Sequence, residues 1–456
     1  MAGLIGMSRR ARSTLIGVAV VAILGLIAWF GLLAEPGPMS FAGGKHVSLA
    51  DYRGADPTGV PASLAAASPV VRGEYLARAA DCMACHTTGD SKPFAGGLAI
   101  RTPFGTLYSP NITPDRATGI GNFTDRDFLR AVRQGVMPDG TRLYPAMPYA
   151  AYTYMTDADA LAIKAYLFSL APVQAKTPPD TLAFPYDQRW LMVFWQALYD
   201  SNSRFQPRSD RSAQWNRGAY LAEAMAHCGD CHTPRNLMQA LDNRAKYSGA
   251  TAAGWRAYNI TADDRSGIGS WSDATLAQYL ATGHAMDHGT ASGNMGEAVD
   301  RSLSYLAPAD IQAIVAYLRT VPAVSSPGEP AVRMSPAPES PREGMSASLD
   351  PRGKQVFEGA CVSCHSWSGR SMLTSYATLT GARAVNDPSA TNVAQIVISG
   401  MRRKNGADTI TMPAFGAAYS DVEIAAVANY VTQRFGSVGS SVQAREISLL
   451  RSQTAQ

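Results

Sequence analysis

The chain has 456 residues, room for two to four domains with cores of their own, and its 46% hydrophobic and 17% charged residues fit a folded, exported protein rather than a disordered one. The net charge of +4 owes part of its excess to Arg9, Arg10 and Arg12 at the N-terminus. No basic stripe with interleaved aromatics occurs, which argues against nucleic acid as a partner.

In chain order, the first element is an uncharged apolar run of 21 residues, Thr14–Ala34, behind the three arginines. A membrane-spanning helix takes about 20 such residues, and flanking arginines stay on the cytoplasmic side. The competing reading is a cleaved signal peptide, but Leu32 and Ala34 before Glu35 make a poor small-x-small site, and Ser40-Phe41-Ala42 lies well downstream. Residues 1–42 are therefore expected to be a retained anchor and short spacer, which places the chain at the cytoplasmic (inner) membrane with the remainder facing the periplasm.

Three similar frames follow, expected at 66–172, 211–322 and 348–438. Each opens with a glycine-containing helical stretch (VVRGEYLARAA, WNRGAYLAEAMAH, PRGKQVFEGA) and closes with an amphipathic helix carrying Tyr166, Tyr317 or Tyr430. Ser68-Pro69 and Asp350-Pro351 are helix starts, and Ser420 with Glu423 has capping-box spacing. Gly73, Gly218 and Gly353 would let the first helix of each frame cross closely over the last. The segment from Asn111 to Gly135 parallels Asn259 to Gly283, an internal duplication at a spacing of 148 residues. Between the first two frames, 173–210 is rich in aromatics, and its Trp190, Phe194, Trp195 and Tyr199 are expected to pack on a neighbouring domain, with a membrane or partner contact as the second option. The Pro/Ser-rich 323–347 reads as a linker, and 439–456 as a tail.

All six cysteines lie in C-x-x-C-H units: Cys82, Cys85 and His86; Cys228, Cys231 and His232; Cys361, Cys364 and His365. A zinc centre would pair two closely set motifs, whereas these stand more than 130 residues apart. A redox dithiol would need an alternating strand–helix frame, which is missing. Covalent c-type haem attachment fits, with two thioethers per haem and the following histidine on the iron. The sixth ligand must come from elsewhere: methionine, which raises the potential, histidine, which lowers it, or an open site, with methionine the preference of haem electron carriers. Met147 follows Gly121 by 26 residues, and Met295 follows Gly269 by the same 26. Met412 stands in a methionine–proline segment before the last helix. Met137 and Met401 are the nearest rivals. His284 and His288 could bid for the second iron but are expected to be solvated loop residues, His227 is expected to be structural, and His46 lies outside every frame. The fold expected is all-α: three tandem class I cytochrome c-like domains after an N-terminal transmembrane helix, with three covalent haem c groups.

The stretches RGEYLARAADCMACHT, NITPDRATGIG, LYPAMPY, WNRGAYLAEAMAHCGDCHTPRN, GNMGEAV and TMPAFG, in that order, resemble the triple-haem cytochrome c subunit of membrane-bound periplasmic dehydrogenases from acetic acid bacteria and related proteobacteria. The resemblance runs from about Val70 to Phe435. It implies a chain without substrate chemistry that takes electrons from a separate catalytic subunit, quinoprotein or molybdenum-type, and passes them to ubiquinone in the membrane. A further small subunit is part of that expectation. Axial pairs carried over are His86 with Met147, His232 with Met295, and His365 with Met412. An alcohol- or aldehyde-oxidising partner leads the expectation. The rival functions are an electron donor to a terminal oxidase and a multi-haem peroxidase, the latter disfavoured by a methionine in every frame. No residue stands out as a general base, nucleophile or hydride site.

Overall fold

The computed structural model describes residues 9–28, 35–88, 92–326, 328–337, 350–405 and 408–454. Three units share one plan, in which an opening helix, a short helix bearing the cysteines and histidine, and a closing helix come together. In the first these are Pro69–Ala79, Cys82–His86 and Asp157–Ser169. In the second the opening helix Ala213–Ala219 runs into a widened π-helical turn, Tyr220–Met225, before Gly229–His232, and the closing helix is Pro308–Leu318. In the third, Pro351–Val356 passes through a π-helical turn, Phe357–Cys361, into Val362–His365, and the closing helix is Asp421–Phe435.

Caps fix where these helices begin. Ser68 accepts from the Val71 N–H ahead of Pro69, and Ser420 and Glu423 satisfy each other's backbone N–H groups as a capping box. A second capping box, Thr124 with Asp127, starts the Asp125–Gln134 helix. Opening and closing helices cross at glycine in all three units. Gly73 meets Ala162 and Tyr166, Gly218 meets Ala313 and Tyr317, and Gly353 meets Ala426 and Tyr430.

The expected all-α fold is corrected by four two-stranded antiparallel hairpins: β1 (Ala99–Thr102) with β2 (Gly105–Tyr108), β3 (Ala250–Ala252) with β4 (Trp255–Ala257), β5 (His284–Ala285) with β6 (Gly289–Thr290), and β7 (Met401–Asn405) with β8 (Asp408–Met412). The turn between β3 and β4 shows why. Ala253 and Gly254 both take positive φ, +47° and +78°, the backbone of a type I′ turn that matches strand twist. The expected membrane-spanning helix is corrected too. Among the described residues no helix is long and apolar enough to cross a membrane. The helix Arg9–Ala28 spends its first turn on arginines, so its uncharged part is shorter than the roughly 20 residues a span needs. The expected inner-membrane placement, which rested on that helix, is corrected with it. Residues 29–34 of the expected span, and residues 327 and 338–347 of the 323–347 linker, lie outside the described residues.

Two large cores organise the described residues, beside a small cluster of Tyr149, Trp195 and Ala240. One is continuous through the first two units, joining Leu76, Met155 and Leu167 to Tyr220, Leu221 and Tyr317. The other belongs to the third unit, around Phe357, Ile424, Tyr430 and Phe435. The C-terminal tail forms a helix, Ala444–Thr454, that buries Ile447 in this second core, and its Arg451 pairs with Asp421. The aromatic segment splits. Trp195 is buried edge-on against Tyr149, with ring centroids 5.9 Å apart, and donates its Nε1–H to the Met238 carbonyl at 2.8 Å. Trp190 and Phe194 face solvent, 61% and 56% exposed.

Candidate haem sites

A sharp bend swings the cysteine helix away from the opening helix in the first two units. Asp81 (φ 51°) and His227 (φ 37°), each just before the first cysteine, sit in left-handed backbone, a region non-glycine residues seldom adopt. The third unit uses its π-helical turn instead.

Each motif histidine is fixed through its Nδ1. His86 Nδ1 stands 2.8 Å from the Pro110 carbonyl oxygen, His232 Nδ1 2.7 Å from that of Tyr258, and His365 Nδ1 2.6 Å from that of Ala377. A carbonyl only accepts, so Nδ1 carries the proton and Nε2 keeps its lone pair for a metal. Burial lowers the pKa of all three imidazoles, which favours the neutral, ligating form. The duplicated Asn-Ile-Thr holds two of these carbonyls in place. Asn111 accepts from the Thr113 N–H at 2.9 Å and donates to the Val173 carbonyl at 2.7 Å. Asn259 repeats this with Thr261 and Val324, at 2.8 and 2.7 Å. The repeated motif was plain in the sequence, but its role as a clamp behind the histidines was not.

The first two motifs open onto one cavity of 1770 Å³ that takes in Cys85 and His86, Cys231 and His232, and the methionines Met147 and Met295. Ordinary small-molecule pockets run to about 300–1,000 Å³, so this one has space for more than one large group. The thiols here are pushed up by burial, to about 12 for Cys82, Cys85 and Cys228 and about 11 for Cys231, with Cys361 of the third unit likewise at about 11. Among the described residues no three His, Cys, Asp or Glu side chains gather as a group that could hold a metal ion. Paired cysteines, a histidine with a free Nε2 and a methionine in one large cavity are the donor set a covalent haem requires.

The methionines sit in unlike backbones despite their equal spacing. Met147 lies in a turn, its N–H donating to the Tyr144 carbonyl at 3.1 Å. Met295 lies in the first turn of the helix Gly293–Arg301. Met412 ends β8 directly across from Met401 on β7, so that ligand candidate and rival are cross-strand neighbours. Met137 also lines the shared cavity. His284, expected in solvent, is 5% exposed: it stacks on Tyr376 with centroids 4.0 Å apart, its Nδ1 3.0 Å from Thr290 Oγ1 and its Nε2 3.0 Å from Ser375 Oγ. His288 lies against Trp271 at 4.0 Å. His227 packs edge-on against Tyr152 at 5.5 Å. His46 bridges to Arg208 through the backbone, outside the three units.

A family model described as "Cytochrome c" matches residues 70–171 and 351–434; the middle unit lies outside both matches, which corrects the expectation of three tandem class I cytochrome c-like domains. The chain is 39% identical to the fructose dehydrogenase cytochrome subunit of Gluconobacter japonicus over 416 residues, 87% of this chain and 85% of that one. It is 38% identical to the gluconate 2-dehydrogenase cytochrome c subunit of Pantoea cypripedii over 400 residues, covering 84% and 89% of the two chains. To the cytochrome c subunit of the alcohol dehydrogenase (quinone) of Gluconobacter oxydans it is 33% identical over 407 residues, 84% and 82% of the two. Matched along most of its length to relatives of this kind, and built around C-x-x-C-H motifs with oriented histidines, the chain belongs to the cytochrome c family, among the cytochrome subunits of dehydrogenases.

Proposed function

We propose that the chain is a three-haem electron relay that accepts electrons from a separate dehydrogenase subunit and passes them on to ubiquinone. The observation that carries this reading is the convergence of two attachment motifs and two methionines on one cavity, each histidine held by a backbone carbonyl. The units 66–172, 211–322 and 348–438 would each hold one haem, through Cys82 and Cys85, Cys228 and Cys231, and Cys361 and Cys364. The residues that would hold the irons are His86 with Met147, His232 with Met295, and His365 with Met412. Haem, when bound, would supply the one-electron chemistry, and the histidine and methionine of each unit would hold it while this chain supplies position and potential.

The test uses cell-free extract of the producing organism with a respiratory inhibitor present. Ethanol, acetaldehyde, gluconate, sorbitol and fructose are added separately while the c-type haem α-band is followed, against a strain lacking this chain. Rapid reduction by one substrate, lost in the deletion strain, identifies the partner dehydrogenase. Reduction by quinol alone would instead make the chain an oxidase donor. The intact mass of the purified protein gives the haem count, with three expected.

A further inference from the structure

The largest fully buried side chain among the described residues is an arginine, and it belongs to one unit while lying inside another. Arg403 sits on β7 of the third unit, two residues from Met401, the cross-strand partner of Met412. Only 1% exposed, it reaches into the second unit. There its Nη2 donates to the Gly296 carbonyl at 2.9 Å and its Nη1 to the Ala291 carbonyl at 3.4 Å, and it pairs with Asp300. Gly283 and Gly296 make the hole for it: a Cβ on Gly283 would stand 2.8 Å, and one on Gly296 3.2 Å, from Nη1.

The position relative to the second haem site is specific. Gly296 follows Met295 in the same helical turn, and Met295, Ala291 and Tyr279 all line the cavity. The guanidinium therefore lies one layer behind the wall that would face the second iron. Burial pushes the Tyr279 phenol up to about 12, and Arg403 is the charge pulling against that rise. Arg403 Nε has no hydrogen-bond partner among the described residues. Asp300 is 37% exposed, so water screens its charge more than that of the buried guanidinium. Arg403 thus adds positive potential at the pocket wall, where Glu297, a carboxylate that lines the same cavity and pairs with Arg301, acts in the opposite sense.

We propose that Arg403, supplied by the third unit, is the positioning residue that raises the reduction potential of the second haem and orients the helix bearing Met295. An electron arriving on the iron lowers its charge by one, and a buried cation behind the wall stabilises the reduced state. One hairpin thus carries the third haem's methionine and the second haem's electrostatic bias.

The inference rests on Met295 as the second axial ligand. The experiment is a spectroelectrochemical titration of the full-length haem-loaded protein, resolved into three one-electron waves, for Arg403→Met, Arg403→Lys and Asp300→Asn. Arg403→Met is expected to move one wave downward by on the order of tenfold in its equilibrium, about 59 mV for one electron. Arg403→Lys keeps the charge and recovers most of the shift, though it loses the forked geometry. Asp300→Asn moves the same wave upward. General loosening of the site would move both changes in one direction, so shifts of the same sign, or none, overturn the proposal. Asp300→Asn leaves Arg403 in place and carries the test by itself if Arg403→Met does not fold. In Met295→Ala, the methionine-to-ferric-haem charge-transfer band should fall by a third. An unchanged band removes the axial assignment, whereas a reduced band with unshifted waves in the other variants overturns the arginine proposal alone.

Discussion

Gly218 lies so close to the closing helix that a Cβ built on it would stand 1.9 Å from the Ala313 carbonyl oxygen and 2.9 Å from Tyr317 Cβ. Two helices can approach this closely only where one of them has no side chain. Gly218→Ala is expected to cost about 3 kcal/mol or more, the upper end of overpacking penalties, read from denaturant unfolding of the haem-loaded protein. Gly353→Ala should cost less, because the same Cβ stands 2.3 Å from the Ala426 oxygen. Equal losses would mean that the crossing is not what these glycines serve.

Behind Cys228, Lys246 Nζ lies 2.7 Å from Glu223 Oε2, both side chains 4% exposed, and the hydroxyls of Tyr247 and Tyr317 donate to Glu223 Oε1 at 2.6 and 2.7 Å. Glu223→Gln leaves a buried ammonium without its counter-charge, and a broken buried pair costs about 3–5 kcal/mol. The double change Glu223→Gln with Lys246→Met should recover much of that loss. A double variant as unstable as the single one would show that the two tyrosine hydroxyls, not the ion pair, hold the cluster.

Replacing Met412 by histidine should lower the potential of one haem, because a second imidazole favours ferric iron more than a thioether does. Redox titration gives the answer. If Met401→His produces that shift and Met412→His does not, the cross-strand neighbour is the ligand.

His227 gives a pH signature. Burial, the dominant cause, depresses its pKa below the ordinary histidine range, against an opposing pull from Asp230. The unfolded chain therefore binds the proton more readily than the folded one, and stability rises with pH through this window. The contribution is complete above about 6.5, the unfolded value, and is lost as pH falls below it. His227→Phe should flatten the stability slope between about pH 7 and 5. A residual slope remains from His284 and His288, which burial lowers as well.

The helix starts and the Ser420–Glu423 capping box were legible in the sequence because each depends on residues close together in the chain, and the glycine crossings because the same glycine recurs in all three frames. What was hidden depends on partners far away. Nothing local to His284 announces Tyr376 and Ser375, roughly 90 residues on, so a histidine between glycine and alanine reads as solvated. The hairpins escaped notice because their strands are short, down to two residues in β5 and β6, too brief for an alternating pattern to show. The equal spacing of Met147 and Met295 was visible, but the turn at one and the helix at the other were not, since spacing carries no backbone conformation. The apolar run after Thr14 was read by its full length, and the helix Arg9–Ala28 does not supply a span of that length.

The continuous core beneath the first two units has a consequence for how the chain comes apart. Duplication at 148 residues produced two copies of a sequence, but their side chains no longer sum to two separable bodies. A defect planted in one copy is felt by the other, because both draw on the same buried atoms. Heated in a calorimeter, the chain should therefore count to two where its sequence counts to three: one large heat-absorption peak for the fused pair and a smaller one for the unit that keeps its own interior.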